Sequence, residues 1–416
     1  MMIISIFGEL KGIKLMHRMH SVKLKGLALL STALTCNYAI AQSAASIDLG
    51  GFDLFPSLKA EFGHDDNLLR DDENEVESWK STIAPEFIIV NSFGLNQIQA
   101  GYRVERGDYF SSQQDNYTDH LLNLLGEFDL NARNRFSLEA IYQDDHDDRG
   151  TSFTIGQGDA LARPDQYKST QIDATYSYGA LTSKGRLDLN LGYGTRDYDI
   201  NTPIYRSRDR DTRTVSGTFY YNLMPATDLT FDVIYNDIDY DFAIDPTAPL
   251  DSEEIRTLVG VEWETTAITT GYVKVGHRRK DFDNGSRENF SGLDWRVGVT
   301  WDLRTYSTID VTTFTTTNET NGVGDFIDTQ TYRISWDHEW LDRLSTTLRF
   351  AYSEDEYSGS GATRVDDNIT ASASLNYAMR RYLVIQAGYT HDERNSTQDT
   401  IDFDRNIVSL TVNITL

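Results

Sequence analysis

The sequence predicts an all-β protein: a transmembrane, antiparallel, up-and-down β-barrel of about 18 strands, with 16 as the main competitor. Three observations point there. Residues 46–416 are a ladder of short segments in which apolar and polar residues alternate, ending on Ile407-Val408-Ser409-Leu410-Thr411-Val412-Asn413-Ile414-Thr415-Leu416. The connections between segments alternate in length, and the whole ladder follows a secretory leader. A sheet of this kind closes on itself to remove its edges, and within lipid only closure satisfies every backbone donor and acceptor.

In the leader, Lys23 and Lys25 supply a positive start. Residues 26–36 form an apolar core too short to span a bilayer, and Ala39-Ile40-Ala41 is a small-x-small cleavage site before Gln42. The expected layout is therefore a signal peptide over 1–41, with Met16 or Met19 as alternative starts, and a barrel over 42–416. Cys36, the single cysteine, leaves with the leader. As a lipid-anchor site it is poor, because Thr35 stands directly ahead of it where a small residue is needed. The exported chain then has no disulfide, thiol nucleophile or thiolate metal site. Leader and ladder together imply the Gram-negative cell outer membrane.

The strands follow by parity. Leu54, Leu58, Ala60 and Phe62 share one face of the first. Ile83, Phe87 and Ile89 follow, then Ile98, Ala100, Tyr102 and Val104 against Gln97, Gln99, Arg103 and Glu105. Leu122 and Leu124 precede Phe136, Leu138, Ala140 and Tyr142. Ile172 and Tyr176, Leu187 to Tyr193, Val215 to Tyr221 and Leu229 to Tyr235 continue the series. In the second half come Ile255 to Trp263, a weaker segment near 272–277, Leu293 to Trp301, a Thr-rich segment at 309–311, and Tyr332 to Trp340. Leu344 to Tyr352, Ile369 to Tyr377, Leu383 to Tyr389 and the terminal segment complete it. Each segment is polar on its other face, which is how a barrel hides its membrane character. Mean hydropathy is accordingly low, −0.46.

Short connections fall near 91–94, 224–228, 304–306 and 378–381; long ones near 63–78, 144–166, 196–210, 236–252, 318–329 and 354–367. Short periplasmic turns alternating with long external loops are the barrel pattern, and an even strand count leaves both termini on the periplasmic side. All six tryptophans fall on the apolar parity, and Trp79, Trp263, Trp301 and Trp340 lie near segment ends, where aromatic girdles sit. A soluble propeller would show a blade repeat of roughly 40–50 residues. None is visible, and with only 7 prolines there is no linker-like stretch to divide a sandwich array.

The formal charge of −26 becomes more acidic still, near −30, once the basic leader is removed. That excludes nucleic acid, whose binding needs a basic footprint. The expected lumen face carries both signs: Arg103, Glu105, Arg135, Glu139, Arg186, Asp188, Arg256, Glu262, Arg296, Arg333, Asp337 and Arg349. Such a row either grips a hydrophilic solute or merely fills and stiffens the interior, and lumen polarity is common to both.

The densest chemistry is Asp144-Asp145-His146-Asp147-Asp148-Arg149-Gly150. Asp145, Asp147 and Asp148 are its candidate cation ligands. The spacing imitates the start of an EF-hand loop, but position 12 falls on Gly156 instead of a bidentate Glu. A solvated external loop turned by Gly150 is the favoured reading. His146 with Ser152 nearby is the only cluster with a catalytic look, and acidic loops are ordinarily just solvated. No Gly-x-Ser-x-Gly elbow, His-Glu-x-x-His helix or phosphate-cradling glycine loop occurs. No catalytic residue and no cofactor is expected.

Several segments carry a resemblance. They are Pro56, Asp65-Asp66-Asn67-Leu68-Leu69-Arg70, Ser81-Thr82-Ile83-Ala84-Pro85, Gly101-Tyr102-Arg103, Tyr109, Tyr117-Thr118-Asp119-His120 and His146-Asp147-Asp148-Arg149-Gly150-Thr151. In order and spacing the chain resembles the β-barrel porin type 2 family, most clearly in its first third. The resemblance implies an outer-membrane barrel linked to exopolysaccharide or capsule biosynthesis, and it brings no catalytic residues. Its implied role is export or passage of a hydrophilic polymer. A general diffusion porin is the nearest alternative, a structural or adhesive barrel is third, and a hydrolase is distant. The implied partners are lipopolysaccharide, a polysaccharide and its export machinery. One departure is the terminal Leu416, where such barrels usually end on an aromatic.

Overall fold

In the computed structural model, residues 46–264 and 268–416 are described; the leader and Cys36 lie outside them. A two-residue strand β1 (Ile47–Asp48) precedes β2 (Asp53–Asp65), β3 (Ser78–Phe93), β4 (Asn96–Tyr109), β5 (Tyr117–Asn131), β6 (Asn134–Asp147) and β7 (Asp165–Tyr178). β8 (Gly185–Tyr198), β9 (Arg210–Met224), β10 (Thr227–Tyr240), β11 (Ser252–Glu264), β12 (Thr269–Phe282) and β13 (Phe290–Arg304) follow. β14 (Ser307–Glu319), β15 (Phe326–Leu341), β16 (Leu344–Ser358), β17 (Val365–Arg380), β18 (Leu383–Ser396) and β19 (Phe403–Thr415) complete the chain. The one α-helical turn, α1, is Pro203–Arg206.

Strands β2 to β19 pair in sequence order, all antiparallel, and β19 returns to β2 through pairs from Ile407–Asp65 to Thr415–Ser57. The result is a closed 18-strand barrel, with β1 added beside β2. Closure removes the edge that an open ladder of this length would expose.

The burial pattern is inverted relative to a water-soluble protein. Ile83 and Phe87 on β3 are 54% and 49% exposed, while the intervening Thr82 and Ala84 are 3% and 2% exposed. Apolar side chains point outward to lipid and polar ones inward. All six tryptophans sit on the outward parity. Trp301 and Trp340, both well exposed, and Trp263 lie toward the short-turn end. Trp79 lies at the long-loop end, stacked on Phe62 at 5.0 Å.

The interior is held by ion pairs that skip strands. Arg256 on β11 grips Asp294 on β13 with two bonds of 2.7 Å. Lys274 reaches Asp232 at 2.7 Å, Lys280 reaches Glu319 at 2.6 Å, and Arg278 reaches Asp328 at 2.6 Å. Arg278, Lys280 and Asp294 have no exposed surface. Pairs linking β12 to β10, β14 and β15 require the wall to curve sharply there. Buried pairs of this kind fix geometry more than they add net stability, because desolvation offsets much of the attraction.

One expectation is corrected. The long acidic connections are shorter than the sequence suggested. Asp144 to Asp147 belong to β6, and the loop after it is 148–164. Likewise β15 begins at Phe326 and β16 runs to Ser358. Above the lipid a strand keeps its ladder but has water or other protein on both faces. Its apolar alternation therefore vanishes while its backbone pairing does not.

Candidate functional site

The segment after β6 does not stand out in solvent. Arg149, 3% exposed, reaches under the loop between β4 and β5. Its Nε and Nη2 donate to Asp115 at 2.7 and 2.6 Å, and Nη1 donates to the Gly158 and Leu161 carbonyls at 3.3 and 3.2 Å. One guanidinium thus ties the two ends of loop 148–164 to a buried carboxylate. Gly150 has φ +80 and packs against the Leu69 carbonyl, and a Cβ there would lie 1.9 Å from that oxygen. Gly158 sits beside the same carbonyl, and Gly156 meets Ile401.

The loop then crosses the barrel. Phe153 contacts Tyr198 edge-on at 6.1 Å, lies 4.2 Å beneath the Arg208 guanidinium, and abuts Gly322. The loop's contacts, Gly150 on Leu69 and Phe153 on Arg208 and Gly322, therefore fall on the β2–β3, β8–β9 and β14–β15 connections, six strands apart in a ring of 18. A segment touching the rim at three such points lies across the mouth.

The carboxylates of the acidic run go to separate partners. Asp147 receives Arg196 at 2.8 Å and the Tyr198 hydroxyl at 2.8 Å. Asp148 pairs with Arg70 at 3.2 Å. Asp145 stays with Asp119 and His146, close enough for the three to converge on one point. However, the His146 ring nitrogens already face carboxylates, Nδ1 to Asp119 at 3.0 Å and Nε2 to Asp148 at 3.3 Å. That is the arrangement of a doubly donating imidazolium; a metal ligand needs a free lone pair. The ring packs on Tyr117 at 4.2 Å, and its hydrogen bonds do not involve Ser152. Asp145, Asp147 and Asp148 are thus not assembled as one ligand set. Around Asp148, crowding by protein alone would raise the carboxyl. The hydrogen bond from His146 and the charges of Arg70 and Arg405 override it and hold the group well below the usual carboxylate range.

Of the segments that carry the family resemblance, Asp65 to Arg70, Tyr109, Tyr117 to His120 and His146 to Thr151 meet at this rim. Leu68, Tyr109 and Tyr117 form its small apolar core with Val76. Asn67 donates to the Asp71 and Asp404 carbonyls at 2.8 Å each. Asp65 takes both arms of Arg405 across the β19–β2 seam. Segments scattered over the first third of the sequence are the parts that seat the crossing loop. Phe153 escaped the sequence reading, and so did the pairing of Arg149 with Asp115. Gly150 was legible as a turn, but nothing in the sequence links Arg149 to Asp115, 34 positions away.

The twelve charged residues singled out for the lumen all fall on the inward parity. Arg186 bonds Asp228 at 2.5 Å and Arg256 bonds Asp294, as above. Glu105 accepts from the Tyr117 hydroxyl at 2.8 Å, and Arg135 donates to the Gly179 carbonyl at 3.0 Å. Glu139 on β6 lies opposite Asp173 on β7, acid facing acid. Asp188 is half-buried on β8. Arg103 and Arg349 also interact within the wall. Among the described residues, Arg296 and Arg333 form no ion pair, and Arg296 Nε and Nη2 and Arg333 Nη1 have no hydrogen-bond partner.

A closed 18-strand ring, apolar outside and polar inside, with a loop across its mouth, has the architecture of an outer-membrane porin-type barrel. The family described as "Putative beta-barrel porin 2" matches residues 42–416, and the chain belongs to it. No curated protein matches the sequence. Among solved structures the chain is similar in fold to OccK3 (OpdO) of Pseudomonas aeruginosa, at 13% identity and a TM-score of 0.46, over 87% of this chain and 96% of that one. OccAB4 of Acinetobacter baumannii shares 11% identity at a TM-score of 0.46, over 90% and 99%. The FrpB iron transporter of Neisseria meningitidis (F5-1 variant) shares 11% at a TM-score of 0.48, over 85% of this chain. The chain spans 65% of that transporter's length.

Proposed function

We propose that the barrel is a conduit for a hydrophilic polymer such as an exopolysaccharide, entered or left through the mouth that loop 148–164 covers. The observation that carries this reading is a set of inward hydroxyl and amide groups with unused bonding capacity. Among the described residues, the Ser216, Thr218, Thr230, Ser345 and Ser374 hydroxyls and the Asn123 and Asn190 carbonyl oxygens have no hydrogen-bond partner. Buried polar atoms are ordinarily satisfied; these are shut off from solvent as the side chains stand, so a turn of the side chain toward the lumen is what lets water or a solute hydroxyl complete them. Sugars supply donors and acceptors at the needed density. A leader cleaved after Ala41, short turns in the periplasm and contact with lipopolysaccharide outside belong to the same reading.

The test is secretion. A deletion strain is expected to lose surface or released polymer, with restoration by the wild-type gene; unchanged polymer sinks the export reading. A general diffusion porin is the second reading, favoured by membership of a porin family. It expects steady conductance in planar bilayers and passage of small neutral sugars, with polymer unaffected by deletion.

A further inference from the structure

Along β11 and β12 the inward cations are matched to carboxylates: Arg256 to Asp294, Lys274 to Asp232 and Glu262, Arg278 to Asp328, Lys280 to Glu319. Two inward arginines beside them are different. Among the described residues, Arg296 on β13 and Arg333 on β15 form no ion pair. Nε and Nη2 of Arg296 and Nη1 of Arg333 are buried and without any hydrogen-bond partner, so their charge is uncompensated inside the wall. The nearest acid on the strand, Asp294, is already held on both oxygens by Arg256. Both arginines are half-buried, so each keeps part of its surface toward the lumen.

They also share a neighbour. Arg296 is the register partner of Phe314 on β14, and the Arg333 guanidinium lies 5.2 Å over the ring of the same Phe314. Strand spacing and rise place the two backbones about 10 Å apart across the sheet and about 7 Å along it. Two extended arginine side chains reach one solute group from that distance. Phe314, itself buried, holds Arg333 from the wall side.

The facing wall has the opposite sign. β6 lies nine strands from β15 in the ring of 18. There Glu139 and Asp173 are directly paired across β6 and β7, with Glu127 on β5 beside them. Among the described residues, the hydrogen bond of Asp173 comes from the neutral Gln171. A lumen with unpaired arginines on one wall and unpaired acids on the other pushes an anionic group to one side.

We propose that Arg296 and Arg333, on either side of Phe314, form an anion-binding patch in the lumen that takes the carboxylates of an acidic saccharide. This rests on the hydrophilic-conduit reading for its use, but not for its chemistry. The guanidinium fork matches a carboxylate, and the uncompensated charge that costs free energy in the empty wall is neutralised when the solute is present.

The experiment is equilibrium titration of the purified full-length barrel in a non-ionic detergent at low salt. The probes are hexagalacturonate and, as the neutral counterpart, maltohexaose. Wild type is expected to bind the acidic oligomer in preference to the neutral one, with affinity falling as salt rises. R296Q/R333Q is expected to bind it about tenfold more weakly, the scale of one lost charge-assisted contact. R279Q, which removes an exposed arginine paired to Asp281, is expected to leave binding unchanged. Heat-modifiable gel mobility reports whether each barrel is closed. If the double variant does not close, R333Q alone carries the test. Equal affinity for the two oligomers, or undiminished binding in a closed R296Q/R333Q or R333Q barrel, overturns the proposal. Intact binding in a protein whose deletion leaves polymer secretion untouched overturns the export reading alone.

Discussion

Replacing Arg149 by Met should open the mouth of the barrel without unfolding it. The guanidinium makes two bonds to Asp115 and two to loop carbonyls, and both charged groups are nearly inaccessible. Without Arg149, Asp115 keeps a 2.5 Å bond from Ser112 but loses the one counter-charge it has among the described residues. Removing one partner of a buried ion pair costs about 3–5 kcal/mol. Here the loop can escape that cost by undocking, because the contacts it abandons are confined to the rim. The closed state is therefore expected to lose roughly two to three and a half decades in its docking equilibrium, at 1.4 kcal/mol per decade. Hydrogen exchange read on peptides covering 150–163 measures this directly, since amides in a docked loop exchange through opening. Exchange there should accelerate by about that factor, while β10 to β14 stay protected. R149M/D115L, which removes both charges, should recover much of the loss. Unchanged loop exchange in R149M would refute the argument, and so would a uniform rise over all strands.

The other expectations concern the same rim and the lipid face. Gly150→Ala should undock the loop by a separate route, because the added Cβ falls 1.9 Å from the Leu69 carbonyl at a φ of +80, and limited proteolysis within 150–163 reads it. Asp148 is held below its unfolded pKa of about 3.9. Its contribution is thus fully present above that value and is lost as pH falls through the lower folded value. Loop exchange corrected for intrinsic rate should rise only in strongly acidic buffer, and Asp148→Asn should remove that rise. Ile334→Arg places a charge on the outward face at 45% exposure and should cost about 2–4 kcal/mol of barrel stability in lipid, whereas Ser335→Arg, inward and only half-buried, should cost less; urea unfolding in vesicles compares them.

The ladder was legible because lipid and lumen impose opposite chemistry on alternate residues. Ile83 and Thr82, Leu348 and Arg349, Leu410 and Thr411 declare their faces without any knowledge of their neighbours. The same rule failed where its cause failed. At Asp144 to Asp147 no lipid remains to demand apolar residues, so a strand read as a loop. The inward charges were legible as a row, but their pairing was not. Lys280 meets Glu319 two strands away because the wall bends there, and the spacing of 39 residues carries no trace of that bend.

By itself, then, the sequence determined the class of structure, the approximate strand number and the face of each residue, all consequences of period-2 alternation in a closed sheet. Tertiary structure alone decided which acids are spent and which arginines are left over. It also decided that 148–164 lies across the mouth and not above it. The physical reason is closure. Once β19 pairs with β2, distant connections share one ring, and a guanidinium such as Arg149 finds its carboxylate across the rim instead of along the chain.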